Sequence, residues 1–188
     1  MADVIARAFS APSSASDDPA SPEASPAAAS GAAGMVHIDL IELLFFAYRD
    51  FVGGPDTLLS EYGFGRAHHR VVHFVNRNPG IRVTDLLDIL KITKQSLGRV
   101  LKQLVDTGFI DQRPGPIDRR QRLLYATEKG QELDTRMTVL QSRRIEQALA
   151  PLSPEGREAA RRFLLEIVDA ADRDSVARMT ERPWETAP

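Results

Sequence analysis

The stretch VTDLLDILKITKQSLGRVLKQLVDTG, residues 83–108, decides how this chain folds. Thr84 can N-cap a short helix over residues 85–90, and Thr93 a second over residues 94–107, because a threonine hydroxyl accepts from the free N–H groups of a first turn. Gly108 stands at the C′ position, where a left-handed residue closes a helix. Only Lys91 and Ile92 lie between the first helix and the second cap. Two helices joined by so short a turn cross at a large angle, as in a helix-turn-helix.

The second helix is cleanly divided. At about 100° per residue, Leu97, Val100, Leu101, Leu104 and Val105 share one arc, while Gln95, Arg99, Lys102, Gln103 and Asp106 share the opposite one. Its open side therefore carries Thr93, Lys94, Gln95, Ser96, Arg99, Lys102 and Gln103. Such side chains suit a major groove, where arginine pairs with guanine and glutamine with adenine through two hydrogen bonds each. An ordinary surface helix shows the same split, so the neighbouring residues have to decide between the two.

Beyond Gly108 the pattern turns extended. Phe109 and Ile110 lead to the turn formers Pro114-Gly115-Pro116, and Arg122-Leu123-Leu124-Tyr125-Ala126 returns, a β-hairpin with a basic tip. Arg113, Arg119, Arg120 and Arg122, with Asp118 among them, are placed to meet phosphates or to enter a minor groove. Taken alone, the hairpin also reads as a solvated sheet edge guarded by charge. A helix-turn-helix followed directly by a basic hairpin is a winged helix.

Over residues 36–175 the chain resembles the MarR family of winged helix-turn-helix transcriptional regulators. The resemblance rests on Val83-Thr84-Asp85-Leu86-Leu87, on Thr93-Lys94-Gln95-Ser96-Leu97-Gly98-Arg99-Val100, and on Leu104 with Gly108-Phe109-Ile110. It continues through Asp118-Arg119-Arg120 and Leu124-Tyr125-Ala126-Thr127-Glu128-Lys129-Gly130. Gly115 and Ile117 stand where the family often has Asp and Arg, and Gly98 where it often has Ser or Thr. The resemblance implies an obligate homodimer in which the first helix and the last two interlock and two winged helices face a pseudo-palindromic operator on double-stranded DNA. It further implies a repressor, released in many members by a small-molecule effector bound between the dimerisation helices and the DNA-binding lobe.

The flanks of the winged helix fit this reading. Residues 10–34 are nearly all Ala, Ser, Pro, Asp and Gly, so residues 1–34 are expected to be a disordered tail. Order begins near Met35, and the sequence leaves open whether translation starts there. A first helix, rich in Leu40, Leu44, Phe45, Phe46, Tyr48 and Phe51, is apolar around most of its circumference and is expected to stop at Gly53-Gly54-Pro55. A second spans about residues 66–78. Thr127 caps a long helix over about residues 128–150, and Ser153-Pro154 begins a last one to about residue 173, apolar at Phe163, Leu164, Ile167 and Val168. The expected organisation is mainly α with a small β-hairpin wing. Residues 66–129 form the winged helix-turn-helix lobe, residues 35–65 and 130–178 a helical dimerisation region, and residues 179–188 a frayed end. Leu40, Leu44, Phe45, Phe51, Phe163, Leu164, Ile167 and Val168 are the expected dimerisation residues.

Charge is distributed in agreement. The chain of 188 residues carries a formal net charge of −2, yet residues 66–129 hold thirteen Lys or Arg against six acids, a net of +7. A basic third within a neutral chain points to a polyanionic partner. With no Cys, thiolate nucleophiles, disulfides and Cys-ligated metals are excluded. No stretch reaches the roughly 18 apolar residues of a membrane span, and no signal peptide is evident, so a cytoplasmic location is expected. No phosphate loop or nucleophile elbow is present, so neither an enzyme nor a cofactor is expected. His69 and His73 share a spacing that can bind a metal, but two nitrogens make no site, and no metal is expected. Tyr48, His68 and His69 are the candidates for an effector pocket. The rival reading is a winged-helix module whose basic face docks an acidic partner protein.

Overall fold

The computed structural model describes residues 36–183; the whole Ala/Ser/Pro-rich segment expected to be disordered, residues 1–34, together with Met35 and the last five residues, lies outside the described residues. Helices α1 (Ile38–Ser60) and α2 (Arg66–Arg77) lead to a short strand β1 (Ile81–Arg82), then α3 (Val83–Leu90) and α4 (Lys94–Asp106). The hairpin β2 (Ile110–Pro114) and β3 (Arg122–Ala126) precedes α5 (Glu128–Leu149), α6 (Pro154–Ile167) and α7 (Arg173–Thr180). The three strands form one antiparallel sheet in the order β1-β3-β2, with Leu124 opposite both Ile81 and Gln112. This is the mainly α winged-helix architecture expected from the sequence, with β1 as an addition.

Local chemistry explains the turn at its centre. Thr93 Oγ1 accepts from the Ser96 N–H at 3.1 Å and caps α4. Lys91, with φ of 50°, is the described non-glycine residue in the left-handed region, and it ends α3 in time for α4 to begin. Gly108, at φ 75°, closes α4, and the Phe109 N–H then reaches back to Leu104 O at 2.8 Å.

Four expectations need correction. First, α1 does not stop at Gly53-Gly54-Pro55 but runs through to Ser60. An internal proline costs about 3 kcal/mol. Here Val52, Pro55, Leu58 and Leu59 form one buried stripe, and burial of each large aliphatic side chain is worth about 1.5–3 kcal/mol, so packing wins. Second, Thr84 is not the cap of α3. Arg82 is the N-cap, because its backbone is already extended against Leu123 in the sheet. Its guanidinium grips Asp85 in the first turn at 2.6 and 2.8 Å and holds that carboxyl below the usual carboxylate range.

Third, the last helix ends early, at Ile167, and a separate α7 begins at Arg173. Val168 turns extended, the Asp169 carboxylate accepts from the Ala171 N–H at 2.9 Å, and Arg173 donates to the carbonyls of Glu166 and Val168, which ends α6. Fourth, the chain beyond Met179 is held as far as residue 183. Arg77 donates to the carbonyls of Arg182 and Pro183 at 2.7 Å each, and Arg182 donates to Asn78 Oδ1 at 2.8 Å.

One hydrophobic core joins these elements. It runs from Leu58, Leu59 and Phe64 through Val71, Val72 and Val75 of α2, Leu86 of α3, and Leu97, Leu101 and Leu104 of α4. Phe109 after α4, Ile110 and Leu124 of the sheet, and Leu133 and Met137 of α5 complete it, so the core crosses the expected boundaries at residues 65 and 130. Asp134 is the buried charge among the described residues. It accepts from Asn76 Nδ2 at 2.8 Å and faces His73 Nδ1 at 3.1 Å, tying α5 to α2 as a buried carboxylate requires.

The core leaves two surfaces uncovered. Helix α6 has no buried residue, and Phe163, Leu164 and Ile167 are exposed. The N-terminal half of α1 exposes Leu40, Leu44, Phe45 and Phe46.

Two glycines give opposite tests of this packing. A Cβ at Gly130 would lie 2.2 Å from Phe109 O, where α5 starts against the sheet. Gly130→Ala should cost about 1–3 kcal/mol in urea denaturation. Gly98, inside α4, has nothing within 4 Å of a Cβ, so Gly98→Ala should raise stability by about 0.5–1 kcal/mol.

Candidate nucleic-acid interface

Helix α4 is seated by its buried side. Leu97 and Leu104 are fully buried and Leu101 nearly so, which fixes the rotation of the helix and turns Thr93, Lys94, Gln95, Ser96, Arg99, Lys102 and Gln103 outward. These seven are not equivalent. Lys94, Gln95 and Arg99 make no hydrogen bond or ion pair among the described residues. Thr93 is the cap and also donates to Ser96 Oγ at 2.9 Å. Lys102 is paired with Asp106 one turn on.

Gln103, though exposed, is engaged within the chain. Its Oε1 accepts from His68 Nε2 at 2.9 Å, while His68 Nδ1 accepts from the Gly65 N–H at 3.1 Å. The His68 ring lies 4.6 Å from that of Phe64, stacked within 3° of parallel. His68 thus locks the start of α2 to the end of α4. The sequence pattern placed Gln103 on the open arc, and only the position of α2 reveals its partner.

The wing also divides by role. Arg113 lies over the Tyr125 ring at 4.4 Å and 3.4 Å from Asp111, on the flank of the hairpin. The Asp118 carboxylate accepts from the Arg120 N–H at 2.9 Å and shapes the loop. The Gly115 N–H donates to Gln121 O at 3.0 Å, and the Gln121 N–H to Asp118 O at 3.1 Å. Arg119, Arg120 and Arg122 are exposed and make no ion pair among the described residues. Ile117, at the tip, is 99% exposed.

Among the described residues, the cations this surface leaves unengaged are therefore Lys94 and Arg99 on the helix and Arg119, Arg120 and Arg122 on the wing. The acids beside them, Asp106, Asp111 and Asp118, are each engaged with a cation or a backbone N–H. Such a surface can bind phosphates by releasing their counterions, and it offers Gln95 and Arg99 as donors to base edges.

The expected effector residues are not gathered in one cleft. Tyr48 is half exposed beneath the Arg66 guanidinium, 5.5 Å from its ring centre, and His68 is committed as described. His69 is partly buried, and burial, reinforced by neighbouring His73, pushes its pKa below the ordinary 6.5. Two open clefts of about 710 and 720 Å³ meet at His73 instead, the first between α2, α3 and α7 and the second between α1, α5 and α6. Tyr48, His68 and His69 line neither. Val168 borders the first and Phe51 the second. Among the described residues no group of three or more His, Asp or Glu is placed to hold a metal ion, and no helix is long and apolar enough to cross a membrane.

Comparison with known proteins gives a consistent result. Residues 62–121 match the pattern of the MarR family. The chain is 44% identical over 133 residues to the HTH-type transcriptional regulator PetP of Rhodobacter capsulatus, an alignment covering 71% of this chain and 80% of that one. Among solved structures, a SlyA-like transcription regulator from Listeria monocytogenes superposes with a TM-score of 0.60 at 20% identity, covering 81% of this chain and 99% of the other. A mutant MarR from E. coli complexed with operator DNA superposes with a TM-score of 0.56 at 21% identity, covering 70% and 95%. At these identities the structural likeness speaks for the fold.

Proposed function

The chain belongs to the MarR family of DNA-binding transcriptional regulators, and on that premise we propose that it binds a pseudo-palindromic operator as a homodimer and represses transcription from it. The observation that carries this is the pairing of Lys94, Gln95 and Arg99 on the open face of α4 with Arg119, Arg120 and Arg122 on the adjoining wing, none of them engaged within the described chain. In this reading α4 enters the major groove, Gln95 and Arg99 read base edges, and the wing arginines hold the backbone and the neighbouring minor groove. Thr93, Ser96 and Lys102 border that contact, and Arg113 and Asp118 support the wing. The protein acts by binding rather than by catalysis.

Dimerisation supplies what one chain lacks. Leu40, Leu44, Phe45, Phe163, Leu164 and Ile167 are exposed on α1 and α6, with Phe51 and Val168 half buried beside them. An apolar surface of this size on a soluble chain marks an interface. A second copy that covers it also sets two α4 helices against two half-sites. Release by a small molecule completes the proposal. The clefts that meet at His73 are of the size that holds such ligands; the first borders α3 of the winged helix, and the second borders α1 and α6, whose exposed faces the dimer would cover.

Selection of bound duplexes from genomic fragments by the purified protein tests the function. A symmetric motif is expected, held against competition by random duplex. A protein that prefers acidic polypeptides and shows no sequence preference would instead be an interaction module. On the selected duplex, Arg99→Ala and Gln95→Ala should each lose about 1–3 kcal/mol of discrimination over random DNA. Arg119→Ala and Arg120→Ala should weaken both duplexes alike and flatten the salt dependence by about one unit of slope each.

Dimerisation has its own test. Phe163→Glu should shift sedimentation toward the monomer and abolish operator binding without touching α4. A Phe163→Glu protein that sediments as a folded monomer and binds the full operator as before would overturn the dimeric reading.

A further inference from the structure

The wing ends in a side chain that its charge does not explain. Ile117 is 99% exposed, more than any other large apolar residue of the described chain. A lone exposed isoleucine on a flexible loop calls for no account. This one stands on a loop built to hold it in place.

Proline on either side of Gly115 fixes two φ angles, so few conformations are left to lose. Gly115 is buried although it lies in the loop. A Cβ there would meet Asp118 O at 2.7 Å, so the chain closes on itself at that point. Hydrogen bonds from the Gly115 N–H to Gln121 O, from the Gln121 N–H to Asp118 O, and from the Arg120 N–H to the Asp118 carboxylate complete the closure at 3.0, 3.1 and 2.9 Å. Ile117 lies within this closed loop, on the solvent side. Arg119 and Arg120 follow directly, and Arg122 stands at the start of β3.

On this placement, and resting on the reading of the protein as a DNA-binding regulator, we propose that Ile117 is a specificity-determining residue that enters the minor groove as an apolar wedge between phosphate strands held by Arg119, Arg120 and Arg122. A minor groove is narrow, and its floor and sugar walls accept aliphatic side chains. Isoleucine is among the residues that wedge against base steps and open them. A wedge favours steps that unstack easily, such as TA and CA/TG. A cationic tip favours the narrow, electronegative groove of an A-tract. Ile117 therefore selects by deformability at positions where it makes no hydrogen bond. The closed loop matters to that role, because a backbone already held in place at Ile117 costs little ordering entropy on binding.

The test uses the full-length protein and its Ile117→Ala and Ile117→Arg variants, each selecting from one library of random duplexes, with affinity then measured across a range of salt on the duplex the wild type prefers. Ile117→Ala should bind that duplex about tenfold more weakly, the scale of one aliphatic contact. Its salt slope should be unchanged, because no charge is lost. The preference for pyrimidine–purine steps at the outer flanks of the motif should disappear. Ile117→Arg should steepen the salt slope by about one unit and move the flanking preference toward A-tracts.

Two outcomes overturn the proposal. In one, Ile117→Ala binds with wild-type affinity and an unaltered motif, and Ile117 is then a solvated residue only. In the other, its affinity falls equally on every duplex. A wild-type protein that selects no motif would refute the DNA-binding reading itself, a result distinct from either.

Discussion

The burial of Leu97, Leu101 and Leu104 against α2, α3 and the sheet is the contact on which the remainder depends. Those three side chains fix the rotation of α4, and successive residues on a helix are separated by about 100°. A slip of one position would put Gly98, Lys102 and Val105, or Ser96, Val100 and Gln103, where the three leucines sit. The seat is prepared on both sides. Thr93 starts the helix at a defined residue, and the left-handed Gly108 turns the chain straight into β2. Phe109 O then receives the Thr127 N–H at 3.1 Å, and Gly130 leaves room for that carbonyl, so the wing and α5 are set from the same point. Helix and wing are thus set from one core, and the residues proposed to read DNA are those that the core leaves outside.

The same core bears on the proposed dimer. It takes Val52, Leu58 and Leu59 from α1 and Leu133 and Met137 from α5, and it reaches no side chain of α6. Leucine and phenylalanine on the uncovered faces are worth roughly as much on burial as those inside. In the proposed dimer, association would be coupled to the ordering of α1 and α6, and the spacing of the two α4 helices would follow from how these faces meet. The buried Asp134 with Asn76 and His73 belongs to this frame. It joins α2 to α5.

Much of this was legible in the sequence. The caps at Thr93, Thr127 and Ser153, the glycine at 108 and the apolar arc of α4 are local signals, and the structure keeps each of them. What the sequence hid was decided by partners distant along the chain. Pro55 reads as a stop until the stripe from Val52 to Leu59 is seen packed. Gln103 reads as an unpartnered residue of the open arc until His68 is found 35 positions earlier. Residues 168–172 continue the apolar period of α6, and only the Asp169 turn and the Arg173 guanidinium show that the helix has ended. Arg182 meets Asn78 across 104 positions, a contact no periodicity announces.

The central claim is that one α4 per chain enters the major groove and that two chains do so together. Interference by guanine N7 methylation, which marks only major-groove edges, tests it most directly on the duplex the protein selects. Two clusters of interfering guanines with centres about one helical turn, roughly 10 base pairs, apart are expected. A single cluster, or binding indifferent to N7 methylation at every guanine, would contradict the account.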